Sequence, residues 1–170
     1  MQPARASYTD AMLQNRKAVS EDAALIAAHR KAMFLAMGGH QEPVLEIMRQ
    51  SCEPWLRQMM ARERYLGWIT LDGQNPIASA GLLLLDWPPH PLDPSGEIRG
   101  YLLNVFVEPD YRRRGLAARL IELCMNDARQ RNIRIITLHA SDAGRPVYQQ
   151  LGFRQTNEMM YRYPDTQAAP

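Results

Sequence analysis

Arg112, Arg113 and Arg114 stand side by side and run straight into Gly115, Leu116 and Ala117. Three adjacent guanidinium groups repel one another unless an anion sits among them. The run follows a strand-like stretch, residues 98–108, and opens a helix-like one, residues 116–129. Backbone N–H groups in such a turn, and in the first residues of a helix, have no intrahelical partner and carry the positive end of the helix dipole. That combination binds anions, phosphates above all. Gly115 gives the backbone a conformation or closeness that a Cβ would block, and Ala117 keeps the helix start slim. The chain has neither a G-x-G-x-x-G nor a G-K-S/T pattern. A pyrophosphate held by amides and flanked by arginines is the expected occupant.

The chain that must position this turn has 170 residues, enough for one domain with a proper core. We expect an arm over residues 1–14, one domain over 15–164 and a tail over 165–170. With 46% hydrophobic and 22% charged residues, the composition is that of a soluble globular protein. The net charge of +2 gives no support to general nucleic-acid binding, and aromatic residues are not interleaved with the arginine run. Cys52 and Cys124 lie among apolar residues in helix-like segments and read as reduced core thiols, which fits a reducing compartment. The N-terminus lacks the apolar run of a signal peptide, and no stretch is long enough to span a membrane. The histidines and cysteines show no metal-ligand spacing. These features predict a cytoplasmic, metal-free protein with no membrane partner.

Residues 16–19 read as a short strand. Ser20, Glu21 and Asp22 open a helix that ends at Gly38 and Gly39. A second helical region, residues 43–62, contains Pro54, so it is either two short helices or one kinked helix. Strands follow over 65–71 and 77–85, with a turn at 72–75. Leu82, Leu83, Leu84 and Leu85 predict a strand covered on both faces. The proline-rich stretch 86–96 is a loop. After the strand at 98–108 and the helix at 116–129 come a strand at 133–139, a short helix from Asp142 through residue 151, and one or two closing strands within 153–163. The order β-α-α-β-β-β-α-β-α-β specifies a mixed-sheet α/β (α+β mixed) domain.

At this point the sequence resembles a known family. Arg112 to Ala117 matches the Q/R-x-x-G-x-G/A loop of the GCN5-related N-acetyltransferase (GNAT) superfamily, placed after a strand as that family's loop is. Tyr148, Gln149, Gln150, Leu151, Gly152 and Phe153 look like its Y-x-x-L/M-G-F element. The element order agrees over residues 15–163, and recognisable motifs lie within 100–153. The resemblance implies an acyl-CoA N-acyltransferase fold: a central, mostly antiparallel mixed sheet flanked by helices, with strands splayed at the cofactor cleft. It implies acetyl-CoA (coenzyme A) as co-substrate, no metal, and direct attack by a primary amine of a small molecule or peptide.

The same resemblance assigns roles. Amides of residues 113–117 hold the pyrophosphate, with the side chains of Arg112, Arg113 and Arg114 around it. The strand segment Val105, Phe106 and Val107 lines the pantetheine arm, with the backbone of Val105 and Val107 pairing to it as another strand would. The Val105 amide polarises the thioester carbonyl. Tyr148 is the catalytic acid for the leaving thiolate. Ser141 either hydrogen-bonds the cofactor arm or caps the helix after it. Tyr101 falls where some members carry a catalytic glutamate, which leaves Glu97, Glu108 and His139 as candidate bases. The acceptor side comprises residues 33–40 and 87–94, with Met33, Phe34, Met37 and Trp87 at its rim and Arg145 nearby. A sensor domain that binds acyl-CoA without turnover is the competing reading, and a homodimer is compatible with the fold.

Overall fold

The computed structural model describes residues 13–162. Strand β1 (Leu13–Lys17) precedes a 3-10 turn (Ser20–Asp22), helix α1 (Ala23–Met37) and helix α2 (Glu42–Ala61). Strands β2 (Tyr65–Asp72), β3 (Asn75–Asp86) and β4 (Ile98–Val107) follow as an antiparallel meander. Helix α3 (Leu116–Gln130), strand β5 (Ile136–Thr137) and helix α4 (Arg145–Gln150) complete the order. The five strands form one sheet in sequence order, antiparallel except for the parallel β4–β5 pair. This is the mixed, mostly antiparallel sheet that the sequence predicts.

Alternation along the strands splits the core into two layers. Ala78, Ala80, Leu82, Leu84 and Leu102 point to the α3 side, where Leu120, Ile121, Cys124 and Ala128 cover them. Tyr65 points to the opposite side, where it packs with Ala23, Ile26 and Ala27 of α1 and Leu56 of α2. Asp127, a buried carboxylate on α3, accepts hydrogen bonds from Trp68 Nε1 at 2.8 Å and Lys17 Nζ at 3.0 Å. These bonds fasten α3 across β2 and β1. Burial pushes the Cys124 thiol up to about 12, so it stays protonated and inert.

Helix α2 runs as one helix through Pro54, one of the two arrangements expected, and three boundaries differ from expectation. Strand β1 starts at Leu13, inside the expected arm; residues 1–12 and the tail lie outside the described residues. Strand β5 is two residues rather than seven, because Ile133 N–H donates back to Ala128 O and closes α3 instead of joining a ladder. The closing strand is absent among the described residues: 153–162 carry no strand, and Met159, Met160 and Tyr161 are exposed. The polar run 154–158 has no apolar alternation, and β5 offers too short an edge to pair with.

Candidate active site

The site begins at a β-bulge. Two steps along β3, from Ser79 to Gly81, face three along β4, from Phe106 back to Leu103. The extra residue is accommodated at Asn104, which adopts φ 56°. Asparagine tolerates this left-handed region better than most residues. Both ends of its buried side chain are engaged: Nδ2 donates to Tyr65 Oη at 3.1 Å, and Oδ1 accepts from Arg30 Nη1 at 2.7 Å. Sequence reasoning passed over Asn104 and Arg30. The available signal was an asparagine in the middle of an apolar strand.

Just before the bulge β4 parts from β5. The two strands pair only at Gly100–Ile136 and Tyr101–Thr137, so among the described residues the outer edge of β4 from Leu102 onward has no strand partner. Glu108 N–H bonds Ile77 O on the β3 side. Strand alternation therefore turns the N–H and C=O groups of Val105 and Val107 toward the open edge. Their side chains pack into the α3-side core, while Phe106 turns to α1 and meets the His29 ring at 4.6 Å. The expected splay is present, and it exposes the backbone groups of the expected valines.

The open edge leads into the turn. Arg113 has φ 62° and Gly115, the residue before α3, has φ 77°. No side chain caps the α3 N-terminus, and a Cβ built at Gly115 would meet nothing within 4 Å. The turn thus presents bare N–H groups to open space. The three arginines behave differently from one another. Arg112 Nε donates to Val107 O at 3.1 Å, taking one lone pair of a carbonyl on the open edge. Arg114 Nη2 donates to Asp110 O at 3.0 Å, and its guanidinium lies 5.0 Å from the Tyr111 ring centroid. Arg113 is exposed.

Across the cleft, Tyr148 on α4 is half-buried and edge-on to Phe153, with centroids 5.9 Å apart. Burial raises its hydroxyl pKa above the ordinary value, which keeps it a proton donor. Ser141 Oγ accepts the Gly144 N–H at 3.1 Å, so its oxygen serves the turn before α4. Arg145 pairs with Asp142 at 3.5 Å.

Two residues that the sequence kept apart come together. Tyr101 on β4 hydrogen-bonds His139 Nδ1 just past β5. Burial is the first cause raising the Tyr101 pKa, and the Glu158 charge adds to it. A protonated phenol donates to Nδ1, so the imidazole hydrogen sits on Nε2. Glu108 lies at the opposite end of β4, next to the turn that carries the three arginines, and Glu97 is exposed in the loop before β4. Of the expected acceptor rim, Met33 and Phe34 are half-buried and Met37 and Trp87 exposed. The Arg30 guanidinium lies 4.9 Å from the Phe34 ring centroid, and that of Arg99 lies 3.8 Å from the Trp87 centroid. Among the described residues no cluster of histidine, cysteine or acidic side chains could hold a metal ion, and no helix is long and apolar enough to cross a membrane.

The sequence profile of the Acetyltransferase (GNAT) family matches residues 34–153. Among characterised relatives, the ribosomal protein bS18-alanine N-acetyltransferase of Escherichia coli is 28% identical over 120 residues, covering 66% of this chain and 73% of that one. A GCN5-related N-acetyltransferase from Ralstonia eutropha superposes with a TM-score of 0.84 at 34% identity, over 89% of this chain and 98% of that one. A predicted acetyltransferase from Clostridium acetobutylicum, solved with acetyl-CoA, gives 0.82 at 29% identity, over 89% and 96%.

Proposed function

Because the chain belongs to the Acetyltransferase (GNAT) family, we propose that it moves an acetyl group from acetyl-CoA to a primary amine of a small molecule or peptide by direct attack. The observation that carries this reading is one continuous feature. An unpaired β4 edge, with Val105 and Val107 turned outward, runs into an uncapped helix start led by left-handed Gly115. A pantetheine arm needs the first, and a pyrophosphate needs the second.

Acetyl-CoA supplies an activated acetyl group as a thioester. The protein's part is binding, polarisation and proton movement. N–H groups of residues 113–117 hold the pyrophosphate, and Arg113 is exposed beside them to meet phosphate oxygens. Arg112 and Arg114 contribute mainly by fixing the turn, since each is bonded to a backbone carbonyl. The Val105 N–H donates to the thioester carbonyl oxygen, where negative charge develops during attack. His139, through Tyr101, takes the proton that the acceptor ammonium must lose: the ammonium proton passes to Tyr101 Oη as the phenol proton passes to His139 Nδ1. His139 is exposed, so the proton leaves to solvent. Tyr148 then gives its proton to the departing thiolate.

Amine-panel assays that follow free thiol release and acetylated product by mass spectrometry test this reading. Acetylation of at least one amine class is expected. Absence of both CoA binding and acetyl transfer would refute it.

A further inference from the structure

Among the described residues, half-buried cations are compensated by a carboxylate, with two exceptions. Arg16, Lys31, Arg49, Arg64 and Arg145 each meet a carboxylate within 3.5 Å. Arg30 and Arg99 are buried to a similar degree and meet none. Arg30 has only the neutral Asn104 Oδ1 and the Phe34 ring. Arg99 lies on the face of Trp87, and its Nε is buried without a hydrogen-bond partner. A charge drawn part-way out of water without a counter-ion is unfavourable until an anion arrives.

Both exceptions lie on the α1-facing side of β4: Arg99 and Tyr101 alternate onto the same face as Leu103, which packs on the α1 side, and Arg30 of α1 reaches β4 at Asn104. The Arg30 charge also acts on the Tyr101 hydroxyl. The Glu158 carboxylate also acts on Tyr101, from the exposed 154–162 segment, yet forms an ion pair with neither arginine. Stacking on Trp87 fixes the plane of the Arg99 guanidinium and leaves its terminal N–H edge for in-plane, bidentate bonding, which suits a carboxylate or phosphate.

We propose that the acceptor amine carries a carboxylate or phosphate, which Arg99 and Arg30 bind while the amine faces Tyr101 and His139. This rests on the acetyltransferase reading above and narrows its substrate class. Acceptors of high positive charge are repelled by the same pair.

The test uses matched amines: β-alanine against β-alaninamide, phenylalanine against phenylalaninamide, and phosphoethanolamine against ethanolamine. For at least one pair, the anionic member is expected to show a kcat/KM at least tenfold higher. Arg99→Gln and Arg30→Gln should each reduce that ratio below threefold, with Arg30→Lys keeping part of it. The CoA Kd and the far-UV circular dichroism spectrum of each variant report that the fold persists. Titration of the same amines into the CoA-loaded protein reads binding without turnover. Equal use of neutral and anionic members, a preference that survives both glutamine variants, or no binding of any anionic member would overturn this inference. Each of those results leaves acetyl transfer itself standing if another amine is acetylated. The free carboxylate and phosphate arms separate the two anion sources.

Discussion

Tyr101 and His139 meet hydroxyl to imidazole across the last paired rung of β4 and β5. Tyr101 pairs with Thr137, and His139 follows two residues later, so the two parallel strands set the contact. If this pair takes the acceptor proton, His139→Gln should lower kcat/KM by about 10²-fold, the range of a positioned base. Tyr101→Phe should lower kcat/KM to a similar extent, because either change breaks the same relay. A kcat/KM within twofold of wild type in His139→Gln would sink the proton path.

Tyr148 tests the other end of the reaction. Its ring packs against Phe153, which a phenylalanine at 148 preserves. Tyr148→Phe should therefore cut kcat at least tenfold with little change in KM or thermal midpoint. A loss confined to kcat also excludes the non-catalytic acyl-CoA sensor. A rate within twofold of wild type would remove Tyr148 from the mechanism.

His29 makes stability depend on pH. It is buried, shares a 2.8 Å hydrogen bond between Nδ1 and Ser79 Oγ, and stacks on Phe106. Burial lowers its pKa from 6.5 to about 4. The folded state thus holds the neutral ring, and its contribution is complete above pH 6.5 and lost as pH falls toward 4. That loss amounts to about 2–3 kcal/mol. Urea unfolding at pH 7 and pH 4.5 should show a smaller pH effect in His29→Gln than in wild type. Parallel losses in the two proteins would contradict it.

Most of what the sequence revealed was local. The hydrophobic periods of α1, α2, α3 and β2 to β4, and the glycine before α3, are written in consecutive residues. The missed features depend on partners distant in sequence. Asn104 reads as a polar intrusion until the bulge brings it to Tyr65 and Arg30. Tyr101 and His139 are 38 residues apart and meet only through a parallel crossover. The uncompensated state of Arg30 and Arg99 is a tertiary fact, since both look like ordinary surface arginines in the chain. Strand β5 was overestimated because Ile133 is apolar for a helix-closing reason rather than a strand reason.

In the proposed reaction the uncapped α3 start binds the pyrophosphate of coenzyme A. Gly115 is exposed with φ 77° and open space before it. A side chain there costs about 1 kcal/mol of backbone strain, and a carboxylate also sets a negative charge where the phosphates belong. The decisive measurement is isothermal titration of coenzyme A into wild type and Gly115→Glu, with thermal unfolding of both as a control. Saturable binding by wild type is expected, with at least 100-fold weaker binding by a variant that still unfolds cooperatively. Equal affinity in the two proteins, or no binding by wild type, would contradict it.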